Sequence, residues 1–376
     1  MKRHILIISY RDIRHPQWGG AEVIIYEIFR RIQHQGYKIS FLCGSFPGGP
    51  SRDEIDGMQI YRVGNLYNFN FKAALFLRSM AAREKIDLVV EDINKIPFYS
   101  PLFVKNTPTL CIVPHLFGTT VFKEAPFLLA AYVYLYEQFI PRIYKRSHFS
   151  ALSGTTRDDL ISRGIPQQHI HLIRSGIDHD LHVPPSERPS SPEPIFLYLG
   201  RLKKYKRIEL PILAMPTILK TVPKAQYWIV GDGDYRPQLE ELTTRMGLKD
   251  SVRFLGMRMG RDKLDLLHKS RILVYTSPKE GWGLSVIEAN ATGCVAVASN
   301  SPGLRESVRH EETGLLVPHG DVKALAAALI RLLTDNQLWL RMSREGVKWA
   351  GEFHWEKSTR ETLNLIEHVI GSPAVP

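Results

Sequence analysis

The stretch ILVYTSPKEGWGLSVIEA, residues 272–289, passes from an apolar run through a glycine-bearing turn into a helical pattern. Ile272–Tyr275 has the length and β-branched character of a buried strand. Gly281 and Gly283 interrupt it, and a fresh apolar helix opens after them. A buried strand that delivers a helix N-terminus through a short turn is the repeating unit of a parallel sheet covered on both faces. The same order recurs upstream and downstream. Ile195–Leu199, Tyr227–Val230, Val252–Leu255 and Val295–Ala298 are further short strands separated by helical or loop sequence. In the first half Ile5–Ser9, Ile39–Cys43, Asp87–Glu91, Leu110–Val113 and Phe149–Leu152 read the same way, with a helix from about Ala21 to Gln35 after the first of them.

Between the two series lies VPPSERPSSPEP, residues 183–194, with five prolines and three serines, from which no packed element can be built. The expected organisation is an N-terminal doubly wound domain over 1–182, a linker over 183–194 and a second doubly wound domain over 195–354. A last helix at about 355–371 follows a complete domain and is expected to return to the first one. A chain of 376 residues suits two such domains. In sheets of this kind ligands collect outside the carboxyl ends of the strands.

Composition narrows the class. The chain is 44% hydrophobic and 23% charged, which excludes disordered, collagen-like and coiled-coil proteins. Cys43, Cys111 and Cys294 are odd in number and far apart, with no CxxC or Cys/His cluster, so neither a disulfide framework nor a structural zinc site is indicated. The start, MKRHILIIS, reads as a buried first strand and not as a signal peptide. The longest apolar stretch, Ala125 to Tyr136, is too short to cross a bilayer, which takes about 20 residues. A reducing cytoplasm is the plain expectation. Lys and Arg number 49 against 38 Asp and Glu, a formal net charge of +11. Residues 1–175 hold 22 basic and 14 acidic side chains, so most of the excess sits in the first half. Such a balance points to an anionic partner.

Three loops carry chemistry. Gly19-Gly20 lies between the first strand and the first helix, where glycines admit a ligand and aim N–H groups at an anion; a tight turn accounts for them equally well. Gly200-Arg201-Leu202-Lys203-Lys204-Tyr205-Lys206-Arg207 places five cations after the carboxyl end of a strand, where they suit a phosphate better than solvent. In residues 277–289, Glu280 lies in the loop and Glu288 about one turn inside the helix. Two carboxylates at different depths can accept hydrogen bonds from two hydroxyl-bearing groups, such as a sugar and a ribose. Glu288 sits among Val286, Ile287 and Ala289, where an unpaired carboxylate would be costly, and that favours a ligand role.

These residues carry a resemblance. Over nearly its whole length the chain is similar to the retaining glycosyltransferases of family 4, also called group 1, which have the GT-B fold of two Rossmann-like domains facing each other across a deep cleft. Glu280 and Glu288 match the spacing of that family's two-glutamate motif. Gly200-Arg201-Leu202 with Lys206 resembles its diphosphate clamp, although Arg207 stands where a glycine is common. Gly231-Asp232-Gly233, Ser175-Gly176-Ile177-Asp178 and Glu312-Thr313-Gly314-Leu315-Leu316-Val317 resemble further landmarks.

The resemblance implies a nucleotide-sugar donor and these roles. Arg201 and Lys206 neutralise the departing diphosphate, Glu280 holds hydroxyls of the transferred sugar, and Glu288 holds the ribose. Gly283 and Leu284 offer backbone N–H groups, Gly19 and Gly20 line the donor phosphate and acceptor side, and His115 lies near the reacting sugar. From the sequence alone His115 reads equally as a core or capping histidine. Asp232-Gly233-Asp234 imitates a metal-binding DxD motif but reads better as a turn, so no metal and no other cofactor are expected.

On the acceptor side, Asp92, Asn94 and Lys95 follow a strand and are candidates for acceptor contact; a plain strand exit accounts for them as well. The aromatic stretch from Pro126 to Tyr144, with Arg142, Lys145 and Arg146, suits either an interfacial membrane element or a buried helix with a cationic end. The leading expectation is a metal-independent retaining hexosyltransferase acting on an acceptor hydroxyl, with a glycolipid or polysaccharide precursor at an anionic membrane face as the first acceptor class. A soluble small-molecule acceptor and a sugar-nucleotide epimerase are the alternatives. Nucleic acid is not expected, because the cations do not interleave with aromatics as in a stacking surface.

Overall fold

A computed structural model describes residues 2–65, 67–94, 96–123, 126–186 and 193–371. The chain divides into two compact units, residues 1–176 with 355–376, and residues 177–354. The division falls at Gly176/Ile177, six residues before the boundary expected from the proline-rich stretch. Of that stretch, residues 187–192 lie outside the described residues, and the described remainder forms neither helix nor strand.

In unit 1 the strands are β1 (His4–Ile8), β2 (Lys38–Cys43), β3 (Arg52–Ile55), β4 (Met58–Arg62), β5 (Leu88–Asp92), β6 (Thr109–Val113), β7 (His148–Ala151) and β8 (Ile170–Leu172). They form one sheet in the order β3-β4-β2-β1-β5-β6-β7-β8. Every pairing is parallel except the β3–β4 hairpin. Its two-residue turn, Asp56-Gly57, has positive φ at both positions (49° and 77°), the backbone that Asp-Gly favours. Central strands β1 and β5 are wholly buried, as expected where helices cover both faces. The helix Gly20–Gln33 buries Ile24, Ile25, Ile28, Phe29 and Ile32 on one stripe. The last helix, Trp355–Gly371, belongs to this unit and packs on that first helix. Ser358 Oγ fastens it by donating to Arg174 O at 2.7 Å.

Unit 2 contains β9 (Ile195–Leu199), β10 (Gln226–Val230), β11 (Val252–Gly256), β12 (Ile272–Tyr275), β13 (Val295–Ser299) and β14 (Gly314–Val317). Their order is β11-β10-β9-β12-β13-β14, all parallel. Strands β9, β12 and β13 are fully buried. Gly314 is required at the edge pair, since a Cβ there would sit 2.3 Å from Ala296 O. With β10, β9, β12 and β13 side by side and parallel, the loops after them gather at one sheet end.

Candidate active site

In unit 2 the basic loop and the two-glutamate loop leave neighbouring strands, β9 and β12. The basic loop is anchored from below. Tyr198 Oη donates to Arg201 O at 3.0 Å, and Thr276 Oγ1, just past β12, donates to the carbonyls of Lys206 (3.2 Å) and Arg207 (2.8 Å). The turn after β10 holds the loop's flank: Leu202 N donates to Asp232 O and Tyr235 N to Leu202 O. That contact needs both glycines, because a Cβ on Gly231 would lie 1.9 Å from Gly200 O and one on Gly233 2.3 Å from Leu202 O. The Asp232-Gly233-Asp234 segment is therefore a brace, and Asp234 is engaged by Lys203 Nζ at 2.8 Å.

Lys206 closes a 3₁₀ turn, and Arg207 after it adopts φ +56°. The departure from the family's glycine thus falls on a left-handed residue, where a side chain costs about 1 kcal/mol or more. Arg207 Nε meets Glu209 at 2.5 Å. Lys206 turns inward, its side chain 9% exposed, and its Nζ lies 2.5 Å from Glu280 Oε1. The ammonium also lies over the rings of Tyr205 (4.9 Å) and Tyr275 (5.4 Å). Burial opposes its charge, but Glu280 and the surrounding tyrosines outweigh that and hold the ammonium's pKa above the ordinary lysine range.

Glu280 is as firmly placed. Its N–H donates to Pro302 O at 3.0 Å, and Ser301 Oγ donates to Ser277 O at 2.8 Å. The turn at Gly303, with φ +80°, passes so close that a Cβ there would lie 2.2 Å from Glu280 O. Gly283, at φ +91°, caps the helix Leu284–Ala291, and its missing side chain makes room for Ser307 and Leu304. The N–H groups of Val286 and Ile287 turn back to Gly283 O, whereas a helix's first donors, here Leu284 and Ser285, have no intrahelical partner. In the same helix Glu288 is held by Lys263 Nζ at 2.6 Å, and His182 Nε2 lies 3.7 Å from its other oxygen. The unit therefore assembles a cationic loop, two carboxylates and a helix N-terminus, a set suited to a diphosphate carrying hydroxyl-bearing groups. Lys263, His182, Thr276 and Gly303 were not foreseen from the sequence.

Unit 1 places its candidates after three adjacent parallel strands, β1, β5 and β6. Gly20 opens its helix with open space where a Cβ would stand. The N–H of Gly19 donates to Glu22 at 2.8 Å. Asp92 is wholly buried and accepts Ser9 Oγ at 2.8 Å, which ties the end of β5 to the residue after β1. Its neighbour Glu91, equally buried, accepts from the N–H groups of Phe98 (2.6 Å) and Ser100 (3.1 Å), fixing the strand exit. Asn94 is half-buried in that exit, and Lys95 lies outside the described residues. His115 is half-buried past β6, edge-on to Phe117 at 5.3 Å. Tyr10, Arg11, His15 and Asn65 line a cleft of about 80 Å³ at the same end of the sheet.

The family model for Glycosyltransferase Family 4 matches residues 18–181, and that for Glycosyl transferases group 1 matches residues 183–349. The chain belongs to the family 4, group 1 glycosyltransferases. An uncharacterized glycosyltransferase of Methanocaldococcus jannaschii is 25% identical to this glycosyltransferase over 374 residues, covering 92% of this chain and 94% of that one. Sucrose-phosphate synthase from Thermosynechococcus elongatus superimposes with a TM-score of 0.85 at 22% identity, covering 99% of this chain and 100% of that one. The Anabaena protein HepE in complex with UDP-glucose gives 0.76 at 18% identity, covering 97% and 99%. Two α/β units with parallel sheets and these neighbours make the fold of the glycosyltransferase GT-B.

Proposed function

We propose that this glycosyltransferase transfers a sugar from a nucleoside-diphosphate sugar to an acceptor hydroxyl, with retention at the anomeric carbon and without a metal ion. The observation that carries the reading is the buried Lys206–Glu280 pair, set between a cationic loop and a helix N-terminus. Breaking the bond from sugar C1 to the phosphate oxygen sends its electrons to the diphosphate. Lys206 keeps two N–H donors beyond the one on Glu280, and Arg201 and the helix N–H groups add to them, so preorganised charge stabilises the leaving group. Glu280 Oε2 receives hydroxyls of the sugar, and Glu288 receives the ribose. The acceptor oxygen bonds to C1 on the face that the diphosphate leaves, and its proton passes to the departing phosphate oxygen. HepE binds UDP-glucose, which makes a uridine diphosphate sugar the first donor to test.

Mass spectrometry of products, after a thermal-shift screen of UDP-, GDP- and ADP-sugars, tests the reading. A glycosylated acceptor together with free nucleoside diphosphate is expected. An isomerised sugar nucleotide formed without acceptor would assign the epimerase reaction instead. Transfer is expected to persist in EDTA. Loss of activity that only a divalent ion restores would overturn the metal-free mechanism.

The acceptor side is proposed to work at an anionic membrane surface. The helix Phe127–Gln138 buries only Ala130, Val133 and Glu137, while Phe127 (73% exposed), Leu128 (82%) and Leu135 (58%) face outward. Arg142, Lys145 and Arg146 are exposed just beyond it, and the only acidic residue from Pro126 to Ser153 is the buried Glu137. Among the described residues no helix is long and apolar enough to cross a membrane, but an apolar face with a cationic border fits a lipid interface. Co-sedimentation with anionic vesicles at low salt is expected, and Leu128→Glu with Leu135→Glu should reduce it at least tenfold. A protein that stays in the supernatant refutes the membrane site and leaves a soluble acceptor.

A further inference from the structure

We propose that His182 is a second acceptor for the donor's ribose hydroxyls, working beside Glu288, and that the two together make the site select ribonucleotides over deoxyribonucleotides. The proposal rests on the reading above that the ribose lies at Glu288.

The argument begins with the proton on the imidazole. Asp178 Oδ1 accepts the N–H groups of Asp180 (3.0 Å) and Leu181 (3.1 Å), winding the chain into a tight turn. That turn brings His182 N to 2.8 Å and His182 Nδ1 to 3.0 Å from Asp178 O. A carbonyl oxygen can only accept, so the ring proton sits on Nδ1, and in the neutral ring Nε2 presents a lone pair. The ring is 5% exposed. Burial disfavours a second proton and lowers the pKa; Glu288 and Asp178 oppose that, while Lys263 reinforces it.

Nε2 then faces Glu288 Oε1 at 3.7 Å, beyond hydrogen-bond reach. Neither atom can satisfy the other, because both are acceptors. Glu288 Oε2 is already engaged by Lys263 at 2.6 Å, which fixes the carboxylate and leaves Oε1 toward the imidazole. The Glu288 side chain keeps 14% exposure, so the carboxylate is reachable from outside, with the buried imidazole behind it. Two nearby acceptors of this kind are completed by a group with two adjacent donors, and a vicinal diol is such a group. A ribose offers two hydroxyls, one for Oε1 and one for Nε2, whereas a deoxyribose leaves one acceptor unmet. Lys263, by neutralising one face of the carboxylate, sets the charge without supplying a donor at the gap.

Titration calorimetry with UDP against 2′-deoxy-UDP and 3′-deoxy-UDP, and with GDP against 2′-deoxy-GDP, tests the assignment. The wild-type protein is expected to prefer the ribo form about 10–100-fold. His182→Phe, which keeps the ring's bulk and removes the acceptor, should compress that preference to within about threefold. It should also raise donor KM more than it lowers kcat. His182→Gln, whose amide oxygen can stand near the Nε2 position, should restore part of the preference, and it carries the comparison should the Phe variant fail a melting test. A His182→Phe protein that folds and still discriminates as wild type overturns the proposal. In that case a loss of UDP affinity in Glu288→Gln keeps the donor reading in force. Unaltered UDP affinity in Glu288→Gln, or no nucleotide binding by the wild type, overturns the donor reading itself and this proposal with it.

Discussion

Glu280→Gln and Lys206→Met should each lower kcat by about 10²–10³-fold while leaving a folded protein, the scale seen when one preorganised charge-stabilising group is removed from an active site. The choice of replacements follows from burial. The two side chains are 15% and 9% exposed and meet at 2.5 Å. Truncating Glu280 to Ala would leave a buried ammonium without its partner, which costs about 3–5 kcal/mol and would blur catalysis with unfolding. Gln keeps an acceptor oxygen toward Lys206, and Met keeps the volume under Tyr205 and Tyr275 without the charge. Because the two side chains are in direct contact and each fixes the other's position, Glu280→Gln with Lys206→Met should cost less than the product of the single losses. Multiplied losses would show that the two residues act independently. Turnover within a few-fold of wild type in either single variant, measured alongside its melting temperature, would remove the site from this position.

How much of this was readable beforehand depends on whether the information is local. The buried strands of both sheets announced themselves as apolar runs, since a strand covered on both faces carries no polar alternation to confuse it. The edge strand β11 is legible as Val252–Leu255, but the edge strands β3, β8 and β14 and the interior strand β4 are not. Strand β3, Arg-Asp-Glu-Ile, is charged because an edge strand gains from charge, and only Asp56-Gly57 marked its hairpin. Strand β8 has three residues, too few for periodicity, and β14 lay inside a stretch read as a landmark without a structure assigned. At the site, position after a strand pointed to Lys206 and Glu280 separately. Their pairing spans 74 residues and is a property of the sheet order that sets β9 beside β12. Lys263 and His182 lie 25 and 106 positions from Glu288, and nothing local distinguishes them from a surface lysine and a loop histidine. Strand-end polarity at Asp92 is shared by acceptor contacts and by buried ties, and its full burial is a tertiary property that no local pattern reveals. Arg207 shows the converse: a departure from glycine visible in the sequence acquires its meaning from a φ of +56°.

Gly303→Ala should damage the site severely, although residue 303 has no functional group. Its φ of +80° already disfavours any side chain, and the new Cβ would fall 2.2 Å from Glu280 O and 2.7 Å from Glu280 C. Both atoms belong to backbone, so no rotamer change can relieve the overlap. Cβ contacts below 3.0 Å are essentially never seen, so the two loops must part by about 1 Å. Glu280 N is bonded to Pro302 O, one residue away, and the separation therefore moves the carboxylate that grips Lys206. A displacement of about 1 Å in a reacting constellation can cost about 10² in rate. The backbone strain should cost about 1–3 kcal/mol of stability as well. Rate and stability separate by temperature: well below the melting point the protein is fully folded, so a loss of kcat near a hundredfold there reports displacement of Glu280 and not unfolding. Near-wild-type kcat in a folded Gly303→Ala protein would mean that the loop yields without moving Glu280, and that the backbone clamp is not what holds the carboxylate in place.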